Sequence, residues 1–350
     1  MSLVLLLGAV NAACAVVSHH SSAVAPAEAS GGPATVWSAK AGRRWTGPFV
    51  IRGDTLFGAG VNRKVYAVDL TRGNTIWSAR LSGLIAGGVV LAGDTVYAAT
   101  SRPQGAVYAM ARATGKRFWR TRLDIVGAPL SLIGGTLVAE TQEGQVVGLD
   151  PASGDVRWRR RLGASRIPAL PVDSGAFIVA TTDSLFRLGA GGKVLHRAPS
   201  PGVILSPWIR VGGRLVAGTT DSLVVSIRLA DLRPAWRVRV DAPVVGAPAV
   251  SGDTVFAVSR RGTLYRITGD SATAAQPIVT LSWPVTAPVT LLGGAILLGG
   301  ADGTLRAFRP ENGRELWRLR LLGPIELSPA RLADGMLAIG GNGDIHRYRQ

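Results

Sequence analysis

A unit of about 40 residues recurs along the chain, and it constrains the fold more than any single residue does. Trp37, Trp77, Trp119 and Trp158 are spaced 40, 42 and 39 apart. Trp236 and Trp317 follow after gaps of 78 and 81, so two units between these anchors lack the tryptophan and carry His196 and Val279 in its place. Within each unit a Gly-Asp or Gly-Gly pair separates two apolar runs, as in Gly53-Asp54-Thr55, Gly93-Asp94-Thr95, Gly134-Gly135-Thr136 and Gly252-Asp253-Thr254. Such pairs supply the positive φ of a tight hairpin, so they mark reversals between antiparallel strands. A third apolar run follows, and then Gly73, Gly115, Gly154 or Gly313, each four residues before a tryptophan. A glycine there suits a left-handed turn into an outer strand. Four strands per 40 residues is the signature of a propeller blade.

The last unit stops after its third strand, and Thr35 to Ala39 around Trp37 is a surplus strand at the other end. The expected fold is therefore all-β: an eight-bladed β-propeller of four-stranded antiparallel blades, closed by the N-terminal strand, over residues 35–350. Closure by that strand leaves no open edge. Trp37, Trp77, Trp119, Trp158, Trp236 and Trp317 are expected to dock blade on blade. Each indole buries roughly 150–250 Å², which at about 25 cal/mol per Å² is at most some 4–6 kcal/mol. Proline or glycine recurs at the start of the inner strand, where a missing ladder donor is tolerated.

Leu3–Val17 is an apolar run of 15 residues, the length of an export-signal core and too short for a membrane-spanning helix. Residues 1–17 are expected to be an export signal or lipoprotein leader, and 18–34, rich in Ser, Ala and Pro, a flexible tether. The only cysteine, Cys14, lies in Val10-Asn11-Ala12-Ala13-Cys14-Ala15, which resembles a bacterial lipobox, so Cys14 is the expected lipidation site. The expected location is periplasmic, tethered to the outer membrane through that lipid. With one cysteine the fold has no internal disulfide.

The chain carries +17, and 35 of its 39 cations are arginine. Such a surface favours anionic partners, an acidic protein or an anionic lipid surface, while no sequence motif points to nucleic acid. Strand alternation places the blade-entry loops and the loops between second and third strands on one face. Arg43, Arg44, Arg63, Arg166, Arg260 and Arg261 are expected there, with Trp45, Trp208 and Trp283, which fall outside the docking register, as aromatic anchors of a partner site. For these three tryptophans packing between blades is the alternative. Aspartates such as Asp54, Asp94, Asp253, Asp302 and Asp344 sit beside glycine, their ordinary place in turns. No acid–base pair or metal-ligand spacing stands out, and His19 and His20 lie in the tether. Neither catalytic residues nor a cofactor are expected, and the ring is expected to be a monomer.

Ala67-Val68-Asp69-Leu70-Thr71-Arg72-Gly73-Asn74-Thr75-Ile76-Trp77 resembles the repeat of the PQQ-type propellers, Ala-x-Asp-x-x-Thr-Gly-x-x-x-Trp. Leu149 to Trp158 is a second close copy. With a compact eight-blade ring behind a lipobox, the chain is most similar to the BamB branch. That resemblance implies a non-enzymatic scaffold that binds the periplasmic domains of the outer-membrane insertase during β-barrel assembly, with Arg166 in the setting of its basic contact loop. The same repeat also occurs in quinone-dependent dehydrogenases, so a PQQ-binding oxidoreductase subunit is the alternative. Those enzymes set an adjacent-cysteine disulfide against the cofactor, which a chain with Cys14 alone cannot form.

Overall fold

The computed structural model describes residues 32–349 except 166, 174, 270 and 271. The expectations for the leader, Cys14, Arg166 and residues 18–31 of the tether thus lie outside the described residues, and Ala34, expected in the tether, begins the first strand.

Thirty-two strands, numbered β1–β32 in chain order, form eight four-stranded antiparallel sheets, and the described residues contain no helix. In seven sheets the strands follow one another in the chain. These are blades 1 to 7, at residues 50–80, 90–122, 131–161, 170–199, 209–239, 249–280 and 290–320. Blade 8 takes β30 (Ala330–Leu332), β31 (Gly335–Ile339) and β32 (Asp344–Arg349), and β1 (Ala34–Lys40) supplies its outer strand. β1 runs antiparallel to β32, with Ala34 opposite Arg349 and Lys40 opposite Asp344. The chain is an eight-bladed propeller closed in the way the surplus strand implies.

The burial pattern follows from blades packing face to face. The two middle strands of a blade are covered on both sides, so β3 (Thr55–Gly60) and β4 (Lys64–Asp69) are nearly continuous buried runs instead of alternating ones. Outer strands such as β13 (Val156–Arg161) face solvent along most of their length. The core lies in the seams. Phe57, Ala67 and Trp77 of blade 1 pack against Val96, Tyr108 and Met110 of blade 2. The closing seam is packed alike, with Leu337 and Ile345 of blade 8 against Leu56 and Val68 of blade 1.

The repeated tryptophan does more than fill these seams, because its indole N–H donates to a turn carbonyl of the next blade. Trp37 reaches Leu70 O at 2.9 Å, Trp77 reaches Arg112 O at 2.8 Å, Trp119 reaches Pro151 O at 3.1 Å and Trp158 reaches Ala190 O at 2.8 Å. The ring then lies on the glycine of that same turn. A Cβ on Gly115 or Gly154, both at positive φ, would stand 2.5 Å from Trp77 Cε3 or 2.6 Å from Trp119 Cδ2. The glycine four residues before one tryptophan is therefore the seat of the preceding blade's tryptophan. A small residue lies on the third strand opposite five of the six rings: Ala67, Ala109, Gly148, Ser226 and Ala307 face Trp77, Trp119, Trp158, Trp236 and Trp317, whereas Trp37 faces Arg347.

The irregular seams deviate in informative ways. His196 keeps the latch, with Nε2 3.0 Å from Asp231 O. Trp236 is buried, but its N–H has no acceptor among the described residues. Blade 6 has no outer-strand tryptophan, and Ile278 and Val279 lie against Gly313 instead. Nearer the axis, Gly47, Gly87 and Pro129 of successive blades approach so closely that a Cβ on Gly47 would meet Gly87 C at 2.6 Å and one on Gly87 would meet Pro129 Cγ at 2.4 Å.

Candidate functional site

Two surfaces carry the ring's chemistry: the face bearing the blade-entry and second-to-third-strand loops, and the outer rim. On the loop face Arg43, Arg63, Arg260 and Arg261 are exposed as expected. Arg63 holds a left-handed φ of 64° in its turn. Arg44 is exposed but engaged, since its guanidinium grips both oxygens of Glu326 at 2.7 Å and so ties the entry loop of blade 1 to that of blade 8.

The three off-register tryptophans separate. Trp45 is only 3% exposed; it lies nearly parallel to Tyr66 with centroids 6.4 Å apart, and its N–H donates to Ala41 O at 2.8 Å. Trp208 is also buried, in the core between blades 4 and 5. The rings fill interblade space beside Gly58 and Leu215, so Trp45 and Trp208 are packing residues and not surface anchors. Trp283 alone is half-buried. The Arg306 guanidinium sits 4.2 Å from its ring centroid and pairs with Asp302 at 2.8 Å. Burial opposes ionisation of Asp302, but its hydrogen bonds from Arg306 and Thr304 prevail and lower its pKa.

The loop face is not uniformly basic. Between second and third strands, blade 1 presents Arg63, blade 2 Arg102 and blade 6 Arg260 and Arg261, whereas blades 3, 4, 5 and 7 present Glu143, Asp183, Asp221 and Asp302. Burial and then the adjacent Asp124 carboxylate raise the pKa of Glu143. The entry loops add exposed apolar tips: Leu84 is 43% exposed, Leu322 50%, and Val203 and Val245 are exposed beside them in kind. Charge alternates around the circle with apolar projections.

The net positive charge resides mainly on the rim, which sequence reasoning missed because loops seemed its natural place. The eight outer strands carry fourteen of the lysines and arginines against one acid, Glu315. Blades 2 and 3 are densest, with Arg117, Arg120 and Arg122 on β9 (Arg117–Arg122) and Arg157, Arg159, Arg160 and Arg161 on β13. Phe118 stands among them, 59% exposed.

One buried carboxyl was not anticipated. Glu140 is 2% exposed at the end of a middle strand of blade 3, and neither oxygen has a partner in hydrogen-bond geometry among the described residues. Burial raises its pKa to about 7, against small lowering contributions from the Ser165 hydroxyl and the Ala169 amide. The described residues contain no cluster of three metal-ligating side chains.

The sequence profile of the family described as outer membrane protein assembly factor BamB matches residues 20–169, 103–201 and 187–342. Among curated relatives, the BamB of Bordetella pertussis is 23% identical over 266 residues, covering 70% of this chain and 68% of that protein. A DNA damage-responsive serine/threonine-protein kinase, RqkA of Deinococcus radiodurans, is 37% identical over 94 residues, covering 26% of this chain and 14% of the kinase. The chain thus spans a small part of the kinase and about two thirds of that BamB. The crystal structure of BamB from Moraxella catarrhalis superposes with a TM-score of 0.78 at 16% identity, over 91% of this chain and all of that one.

Proposed function

Because the chain belongs to the family of the outer membrane protein assembly factor BamB, we propose that it is a non-enzymatic scaffold in the assembly of outer-membrane β-barrel proteins. It binds protein partners through its loop face. The observation that carries this reading is the composition of that face: the exposed tips Leu84, Val203, Val245 and Leu322 alternate with charged loops around the fixed ring of Trp283. Protein interfaces use apolar anchors inside a polar border in this way. The loops, basic at blades 1, 2 and 6 and acidic at blades 3, 4, 5 and 7, ask for a partner of matching pattern, acidic opposite Arg260 and Arg261 and basic opposite Glu143, Asp183 and Asp221. Periplasmic domains of the outer-membrane insertase are the proposed partner, and Cys14 is the proposed point of lipid attachment at that membrane. The arginines of β9 and β13 supply a separate surface for anionic lipid.

Co-purification from solubilised cell envelope tests the reading. The wild-type ring is expected to retain the insertase, and the variants Arg260→Glu/Arg261→Glu and Leu322→Asp to lose it at an unchanged melting temperature. Retention by both variants would remove the loop face from the account. Titration with PQQ and calcium is expected to leave the absorption spectrum unchanged; a bound chromophore or dye reduction would favour an oxidoreductase.

A further inference from the structure

The regular seams of this ring define what the space beside an outer strand takes. At Trp77 and Trp119 the indole lies on a positive-φ glycine, its N–H points to the carbonyl three residues before that glycine, and an aromatic ring of the second strand packs alongside. Phe57 lies 6.1 Å from Trp77, and Tyr97 lies 5.9 Å from Trp119. At the seam between blades 6 and 7 the surroundings recur without the indole. Gly313 has a φ of 69°. Pro310, three residues earlier, holds the station of Leu70, Arg112 and Pro151. Phe256 has the register position of Phe57 and Tyr97.

The outer strand of blade 6, β25 (Gln276–Thr280), carries no aromatic side chain, and Gln276 takes the tryptophan's register position, opposite Arg266 as Trp77 is opposite Ala67. Ile278 and Val279 cover Gly313. Between blades 6 and 7 the surface opens into a cleft of about 590 Å³, lined by their first three strands and adjoining turns and by no residue of β25. Its walls include Phe256, Leu291, Pro310, Arg266, Glu311 and Arg331. That volume falls within the range of small-ligand sites, with apolar walls and a few polar groups to fix orientation. Gln276 Oε1 accepts from Arg266 Nη2 at 2.8 Å and holds that guanidinium in place. Arg331, reaching in from blade 8, is exposed and has no ion-pair partner among the described residues.

We propose that this cleft binds an aromatic side chain flanked by a carboxylate, presented by a polypeptide segment. The ring enters beside Phe256 and Pro310, an indole N–H meets the Pro310 carbonyl as Trp77 and Trp119 meet those of Arg112 and Pro151, and the carboxylate pairs with Arg331 and Arg266. A planar guanidinium suits a carboxylate because it can donate two parallel hydrogen bonds. Glu311 repels a carboxylate on its own side and accepts a peptide N–H there, which fixes one direction of entry. The turns lining the cleft are at the opposite end of the strands from the loop face, so this site is independent of the docking reading above.

The test is calorimetric titration of the full chain with acetyl-Asp-Trp-Asp-amide, with its Asn-Trp-Asn and Asp-Leu-Asp counterparts, and with N-acetyltryptophan. The Asp-Trp-Asp peptide is expected to bind at least about tenfold more tightly than the other three. Arg331→Glu and Arg266→Glu are each expected to weaken it by at least about tenfold. Arg260→Glu/Arg261→Glu, on the other face, should leave it unchanged. Equal affinity for the Asn or Leu peptide, or an Arg331→Glu variant that binds like wild type, overturns the proposal. Preference for N-acetyltryptophan overturns the polypeptide source in favour of a free small molecule bearing an aromatic ring and a carboxylate. Loss of binding in the Arg260→Glu/Arg261→Glu variant moves the contact to the loop face and overturns it as well.

Discussion

At Gly154 two constraints meet on one absent methyl group: a φ of 81° and the Trp119 ring 2.6 Å from where a Cβ would stand. Gly252 has a φ of 60° with nothing within 4 Å. Gly252→Ala should therefore cost only the left-handed strain, about 1–2 kcal/mol, whereas Gly154→Ala adds displacement of the indole and should cost more. Urea unfolding of the two variants measures the difference, and equal costs would mean that the latch contributes nothing. Both glycines were legible in the sequence as turn residues. That Gly154 seats a tryptophan 35 residues earlier was not, because the contact joins successive blades. Glu140 was less legible still, since its neighbours in the repeat are Ala59, Ala99 and Ala180, and a lone Glu near a strand end reads as exposed. Its carboxyl has an ordinary value of 4.5, and burial raises it to about 7 in the folded ring. Below pH 4.5 both states hold the proton, and between 4.5 and 7 only the unfolded state releases it. Stability should therefore fall as pH rises through that window and level off above it, by up to about 3 kcal/mol. Melting curves from pH 4.5 to 8 should show this decline in the wild type and a flatter profile in Glu140→Gln.

Strands impose a different kind of constraint. The Gly-Asp and Gly-Gly hairpins and the Gly-to-Trp spacing made the blades readable, because each unit repeats the same local chemistry. The placement of charge was hidden, since an outer strand such as Val156–Arg161 shows its character only once one edge is known to lack a neighbour. Arginines there discourage edge-to-edge pairing with another molecule. Trp45 and Trp208 were ambiguous for the same reason: the strand pattern gives their position near the inner strands but not the close approach of two blades that buries them. β1 offers the direct test of element-level stability. Removing residues 34–40 deletes the Trp37 latch to Leu70 and uncovers the edge of β32. The truncated ring is expected to melt at lower temperature and to self-associate, seen as a larger species in size-exclusion chromatography. A monomer with unchanged melting would show that the seal is dispensable.

For the whole molecule, eightfold repetition separates scaffold from specialisation. Seams that keep indole, glycine and carbonyl hold the circle together, and the features that distinguish this chain occur where the repeat is broken or decorated: the cleft beside blade 6, the Arg306–Trp283 stack, and the arginine-dense arc of blades 2 and 3. The two ends of the strands present different chemistry, charged loops with apolar tips at one and the cleft with Arg266 and Arg331 at the other. The pairing of Ala34 with Arg349 also has a temporal meaning. During synthesis the partner of the earliest strand emerges more than 300 residues later. Until then the nascent protein is an arc with two raw flanks, and a message cut short would release an object that sticks to its own kind.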